Sequence, residues 1–176
     1  MSEPAPGAAS FDPEQIVTVL ARHGVRYVLV GALAARLQGF PRLTADADIT
    51  PARDVANLER LAAALRELRA RVYTEGSPDG LAFDISAEAL ARTELWNLVT
   101  SAGRLDIVFE PAGTRGYQDI KRSALRYQVF GVKLDAAALR DIVRSKKATG
   151  RPQDRQDVAV MLAMLRKRPK PEKDRG

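Results

Sequence analysis

The stretch LTADADIT, residues 43–50, decides how the rest of the chain is read. Thr44 to Ile49 reads as a short buried strand, cut by Pro51. Yet it carries Asp46 and Asp48. Side chains alternate across a strand, so the two acids share one face while Ala47 and Ile49 turn toward the other. Two carboxylates that close repel each other, and burying them unpaired costs several kcal/mol. A positive partner is required between them. A pair of hard oxygen donors suits magnesium, which takes a few carboxylates together with phosphates.

The flanking residues fit that reading. VLVGALAARLQG, residues 28–39, is a strand running into Gly31 with a helix starting at once. Such a helix start offers backbone N–H groups to phosphate, and Gly31 lets the backbone come close. A tight strand-to-helix turn explains the same glycine without any ligand. A two-metal site calls for a third carboxylate, and Asp106, set among Leu105, Ile107, Val108 and Phe109 on an expected strand, is its candidate. An acid in a strand is more often an edge or surface residue, so Asp106 gains weight only from the company it keeps.

The chain has 176 residues, enough for one sizeable core, with 45% hydrophobic and 28% charged residues. It has no cysteine, which excludes disulfides, thiolate zinc sites and a cysteine nucleophile. Residues 1–10 lack the basic start and apolar run of a secretory signal, and no apolar run is long enough to span a bilayer, so no membrane role and a cytoplasmic location are expected. Residues 121–176 hold 16 Lys and Arg against 6 Asp and Glu, whereas residues 1–120 hold 12 against 16. The basic charge is thus concentrated in the last third, where a polyanion such as RNA would be drawn. A solvated basic face is the plainer explanation.

Along the chain, residues 1–10 read as disordered. A helix runs from the cap Asp12 and Pro13 to about His23 and stops at Gly24, and Arg26–Val30 is a strand. Asp54–Arg69 is an amphipathic helix with Val55, Leu58, Leu61, Leu65 and Leu68 at core spacing. A short strand begins at Val72, Ser77–Gly80 is a turn, and a short helix falls at 87–92. Leu95–Ser101 and Arg104–Phe109 are strands joined at Ala102 and Gly103. After a short helix at 117–123 comes a hairpin about Gly131, then helices over Ala136–Lys147 and Gln153–Lys167. The whole is one domain over 11–167, with a catalytic core at 14–112, a helical C-terminal part at 113–167 and a basic disordered tail at 168–176. The fold class is α/β (α+β): a small mixed sheet flanked by helices.

In the second half, Lys146 ends a helix, where a cation suits the dipole and can meet a triphosphate as a point charge. Arg151 and Arg155 are candidate helpers, although a solvated face is the plainer reading of Arg155. Asp157 anchors Lys146 or orients an acceptor, and Asp154 is the acid of the last helix's first turn, where capping is its plain role. His23 reads as a cap or surface group, and Trp96 as a core residue. Arg42 either touches phosphate or pairs with an acid.

The order strand, Gly31-Ala32, helix, Arg42-x-Thr44, Asp46-x-Asp48 resembles the nucleotidyltransferase (polymerase beta-like) superfamily. Within it, HGVRYVLVGALAARLQGFPRLTADADI and IVRSKKATGRPQDRQDVAVML are similar to the opening and ending of the AbiEii and MenT-type toxins of toxin-antitoxin systems. The resemblance covers about residues 14–166. It departs at Gly31-Ala32, where Gly-Gly or Gly-Ser is usual, leaving backbone N–H groups alone to meet a phosphate.

The resemblance implies the nucleotidyltransferase fold and metal-dependent transfer from a nucleoside triphosphate. Asp46, Asp48, Lys146 and Asp157 would be catalytic. Gly31, Ala32, Arg42, Thr44 and Lys146 would bind the nucleotide, and Asp46, Asp48 and Asp106 would hold one or two Mg²⁺ ions. The implied acceptor is RNA, above all the tRNA 3′ end, so that transfer blocks translation, and the implied partner is a cognate antitoxin protein. Two alternatives stay open: the same chemistry on a small molecule or protein side chain, and a catalytically silent RNA- or protein-binding module.

Overall fold

The computed structural model describes residues 9–168. The disordered ends expected at 1–10 and 168–176 fall almost wholly outside the described residues. The elements run α1 (Pro13–Arg22), β1 (Tyr27–Val30), α2 (Gly31–Leu37), β2 (Asp46–Pro51), α3 (Val55–Glu67), β3 (Arg71–Thr74), β4 (Ser77–Leu81), α4 (Ala87–Leu90), β5 (Leu95–Thr100) and β6 (Gly103–Val108). They continue with α5 (Tyr117–Lys121), β7 (Leu125–Val129), β8 (Val132–Ala136), α6 (Leu139–Thr149) and α7 (Asp154–Lys167). No helix among the described residues is long and apolar enough to cross a membrane.

All the strands join one mixed sheet in the order β4-β3-β5-β6-β2-β1-β8-β7. The acid-bearing β2 lies near its middle, antiparallel to β1 and parallel to β6. Its burial alternates as the sequence predicts: Ala47 and Ile49 are fully buried, Asp46 and Asp48 half-buried. Ala47, Ile49, Leu105 and Ile107 belong to the same apolar cluster as Ile16 and Leu20 of α1 and Leu58, Leu61 and Leu65 of α3. Within β2 and β6 these apolar residues take one face of the sheet and leave the acids on the other.

Local signals place the helices. Asp12 caps α1 by accepting from the Gln15 N–H at 3.1 Å, with Pro13 at the first helical position. Asp54 caps α3 by accepting from the Asn57 N–H at 3.0 Å. Several expectations are corrected. Val55 stands in the first turn of α3 and is 67% exposed, so the buried stripe begins at Leu58. Ser77–Gly80 is strand rather than turn: the hairpin turns at Glu75 and Gly76, and Pro78 is tolerated because β4 is an edge strand. α6 starts at Leu139, because Ala136 continues β8 opposite Leu29 of β1. The C-terminal part is therefore not purely helical, since the β7–β8 hairpin extends the same sheet beyond β1. Trp96 is half-buried, its ring stacked 5.0 Å from Phe83 and its indole N–H donating to the Leu90 carbonyl.

Asn57 ties α3 to the strands. Fully buried, its amide donates to the carbonyls of Arg26 at 2.9 Å and Ala52 at 2.8 Å, and its oxygen accepts from the Arg26 N–H at 2.7 Å. Asn57→Ala leaves these backbone groups unpaired away from water. It is expected to destabilise the protein by about 2–4 kcal/mol, read as a lower urea midpoint at unchanged slope. A midpoint equal to that of the parent would show that water replaces the amide.

Candidate active site

The register of β2 gathers the acids. Asp48 stands opposite Val30 of β1 on one side and Asp106 of β6 on the other, and Asp46 stands opposite Arg104. Cross-strand partners share a face, so Asp46, Asp48 and Asp106 all project from the side away from the main core. Burial pushes the Asp48 carboxyl up to about 7, with the charges of Asp106 and then Asp46 adding to it, while Lys146 and Arg104 oppose it. Burial also raises Asp106; Arg104 works against this and Asp46 with it. The Oδ1 atom of Asp106 is buried without a hydrogen-bond partner, and the nearest cation is the Arg104 guanidinium at 3.7 Å.

Gly31 makes room for Asp48. It opens α2 at φ +69°, and a Cβ built there would collide with the Asp48 carboxylate. The glycine is needed both for its left-handed backbone and for the close approach. No side chain caps α2, whose first-turn N–H groups are left for other acceptors. With seven residues, α2 has a short dipole, so the principal fixed cation of the site is a side chain.

That side chain is Lys146. Its ammonium lies 2.8 Å from Asp154 and 3.7 Å from Asp157, and Asp157 accepts from Arg42 at 2.6 Å. Asp154 is thus a closer partner of Lys146 than Asp157, although its position also suits the start of α7. Arg42 is turned to the buried Asp157, the acid pairing that the sequence offered beside a phosphate contact, and it does not line the adjoining cavity. The hydroxyl of Thr44 donates to the Asp46 carbonyl at 3.1 Å and accepts from the Asp46 N–H at 3.2 Å, bracing the entry to β2. His23 pairs with Glu67, far in sequence from the acids.

A cavity of about 530 Å³ joins these parts. Gly31, Ala32, Thr44, Asp46, Asp48 and Lys146 line it, so it unites most of the residues singled out from sequence. Asp157 and Asp106 stand just outside its lining. The sequence reading missed Asp141, a buried acid on the cavity wall that accepts from the Ser123 hydroxyl and lies 3.4 Å from Arg144. It also missed Arg104 beside the acids. Arg104 was within reach of the strand period, two residues before Asp106, whereas Asp141 lies in a helical turn with no local mark. Arg151 lines the cavity, exposed and without an ion-pair partner among the described residues.

The donor chemistry fits a divalent cation. Two carboxylates share a face, one of them held near neutral by burial and like charge, and magnesium needs only one or two carboxylates beside its phosphate and water ligands. Among the described residues no group of three or more His, Asp or Glu side chains is drawn together as a ready ion cage. Asp106 shares the face and register but leans beside Arg104 instead of completing such a cage.

No protein-family model matches the chain. No curated protein matches it at a significant level. Solved structures do. TM1012 of Thermotoga maritima, described as a candidate nucleotidyltransferase, superposes with a TM-score of 0.53 at 16% identity over 89% of this chain and 97% of that one. The antibiotic-resistance factor ANT(2'')-Ia superposes with a TM-score of 0.55 at 16% identity over 87% of this chain and 82% of that one. The chain has the nucleotidyltransferase fold. This bears out the expected fold class, with an eight-stranded sheet in place of a small one.

The raised Asp48 carboxyl has a consequence for stability. Its folded value lies near 7, above the ordinary 3.8, so its share of stability is fully present below about pH 4 and is lost as pH rises through 7. In metal-free buffer, the urea midpoint of the parent is expected to fall between pH 4.5 and 8 relative to Asp48→Asn. At pH 8 the variant should be the more stable, by on the order of 4 kcal/mol at most. Parallel pH curves for the two proteins would show that Asp48 ionises without cost.

Proposed function

We propose that the protein transfers a nucleotidyl group from a nucleoside triphosphate to the 3′ end of an RNA. The observation that supports this most is the facing of Asp46 and Asp48 onto a cavity that also holds Lys146, beside a glycine that admits the Asp48 carboxylate. In the reaction the acceptor hydroxyl oxygen bonds to the α-phosphorus. The bond from that phosphorus to the bridging oxygen of the β-phosphate breaks, and pyrophosphate leaves with its electron pair. Magnesium held by Asp46 and Asp48 would neutralise charge on the triphosphate and on the developing transition state.

The chain's own groups supply the rest. Lys146 takes the β- and γ-phosphates, aided by Arg151, whose guanidinium has no ion-pair partner among the described residues. Asp154 and Asp157 hold Lys146 in place before substrate arrives. Asp106, with one oxygen free and its carboxyl raised, accepts the proton of the acceptor hydroxyl. RNA as acceptor is supported by the basic last third of the chain. The choice of the tRNA 3′ end, the role as a translation-blocking toxin and the partnership with an antitoxin rest on the sequence resemblance. A small-molecule acceptor is the second reading, favoured by the fold shared with an antibiotic-resistance factor.

Incubating the folded protein with α-labelled nucleoside triphosphates, magnesium and total tRNA is expected to label the RNA, and a chelator should abolish labelling. Asp46→Ala should lower the rate at least about 100-fold. Lys146→Ala should raise the apparent KM for the triphosphate about tenfold or more. Labelling of an aminoglycoside in place of RNA would favour the second reading. No labelling of any acceptor by a folded sample would end the proposal.

A further inference from the structure

The acids divide their face of the sheet into two unlike halves. Toward β1, α2 and α6 lies the cavity just described. Toward β6, β5 and β3 the register places Arg104, Asp106, Asn97 and Leu95 on the same face, with Asn97 opposite Asp106 and Leu95 opposite Val108. Leu95 and Val108 still line the cavity, at the end of β5 and β6 away from Arg104. Around Arg104 the face is open: Asn97 is exposed, while Arg104 and Tyr73 are half-buried. A transfer reaction needs two substrates on either side of the metal-holding pair. The enclosed half suits the triphosphate, which leaves the open half for the acceptor.

Arg104 is the outstanding group there. It stands opposite Asp46, on the strand that also carries Asp106 and about 4.8 Å from the axis of β2. Its guanidinium carbon lies 3.8 Å from the centre of the Tyr73 ring, which holds the plane flat. Its contact with Asp106 at 3.7 Å is too long for a hydrogen bond, and its Nε–H is buried without a partner. A guanidinium kept planar, charged and under-bonded beside a reaction centre is set for a bidentate oxyanion. In a polynucleotide the phosphodiester one sugar away from the terminal hydroxyl is such a group. A nucleoside lacks it, and a polycationic acceptor would be repelled.

We propose that Arg104 is the acceptor-strand clamp: it binds the backbone phosphate next to the terminal 3′ hydroxyl of a single-stranded RNA end, with Tyr73 as the positioning residue that holds its guanidinium. This rests on the transfer reading for the identity of the acceptor, but its test does not need turnover.

The test is fluorescence anisotropy of a 5′-labelled single-stranded RNA ending in a 3′ hydroxyl, measured across a salt series with the full chain. Arg104→Gln is expected to weaken RNA binding about tenfold and to reduce the slope of log affinity against log salt by about 0.7. Triphosphate binding should be unchanged. Tyr73→Leu should weaken RNA binding while Arg104 remains. Should Arg104→Gln fail to fold, Arg104→Lys, which keeps the charge and loses fork and stack, is expected to bind RNA more weakly than the parent. Equal RNA affinity and salt slope in parent and folded Arg104→Gln, or no RNA binding by the parent, would overturn the clamp. RNA binding that depends on Arg104 in a protein that transfers no nucleotide would uphold the clamp and overturn the transfer reading. Transfer to RNA with unaltered affinity in Arg104→Gln would do the reverse.

Discussion

The structure depends on one close approach, that of the Asp48 carboxylate to Gly31. Asp48 must lie against the backbone where β1 turns into α2, with Asp106 beside it in register and Asp46 two residues before it. Three acids on adjacent central strands are unfavourable for folding, as the raised carboxyls of Asp48 and Asp106 record. A chain selected only for stability would replace one of them with an apolar residue. Three acids together, with a left-handed glycine to accommodate one, mark a place where local rules are broken, as they are at functional sites.

Holding the opposite wall against these acids falls to a few long-range polar ties. Gln38, just after α2, donates to the Ala137 carbonyl at 2.8 Å and accepts from the Leu139 N–H at 3.0 Å, which fixes the start of α6 against the end of α2. The Ala137 N–H donates to the Leu29 carbonyl of β1 at 2.8 Å. α6 then carries Lys146 to the cavity, and the Arg42–Asp157 pair fastens the loop before β2 to α7. Each tie spans a large stretch of sequence, and each joins the glycine-and-acid half of the site to the lysine half. The geometry of the candidate site is thus set by hydrogen bonds and an ion pair at element ends, where the sheet ladder no longer constrains the chain.

This explains what was legible in the sequence. Asp46 and Asp48 were legible because a strand has period two, and the alternation of acid with Ala47 and Ile49 is local. Gly31 was legible because strand, glycine and helix follow one another. Asp106 stood out as an acid among apolar residues, yet its neighbour across the sheet was not written locally, and neither was the pairing of Arg104 with Asp46. The direction of Arg42 depended on Asp157, which is 115 residues away. The attachment of the β7–β8 hairpin beside β1 depended on a parallel register that no turn residue announces. Val55 carried the right hydrophobic spacing but sat at the helix start, where periodicity continues and burial does not.

The charge balance of the lysine wall bears on how such a site would wait for its substrate. Before any anion arrives, Lys146 and Arg42 are matched by Asp154 and Asp157, so the cluster is neutral and its members hydrogen-bonded. An isolated lysine beside the raised carboxyls of Asp48 and Asp106 would instead be drawn toward Asp48 and close the cavity over the acids. The two acids of α7 hold it back. Under the proposed function, a triphosphate would compete with carboxylates of one charge each while bringing several of its own, so the exchange would favour the phosphate chain without requiring a buried, unpaired ammonium beforehand. Arg151, exposed on the same cavity and without an ion-pair partner among the described residues, would carry the net positive charge that draws such an anion in. The acids of α7 belong to the site because they keep its cation available.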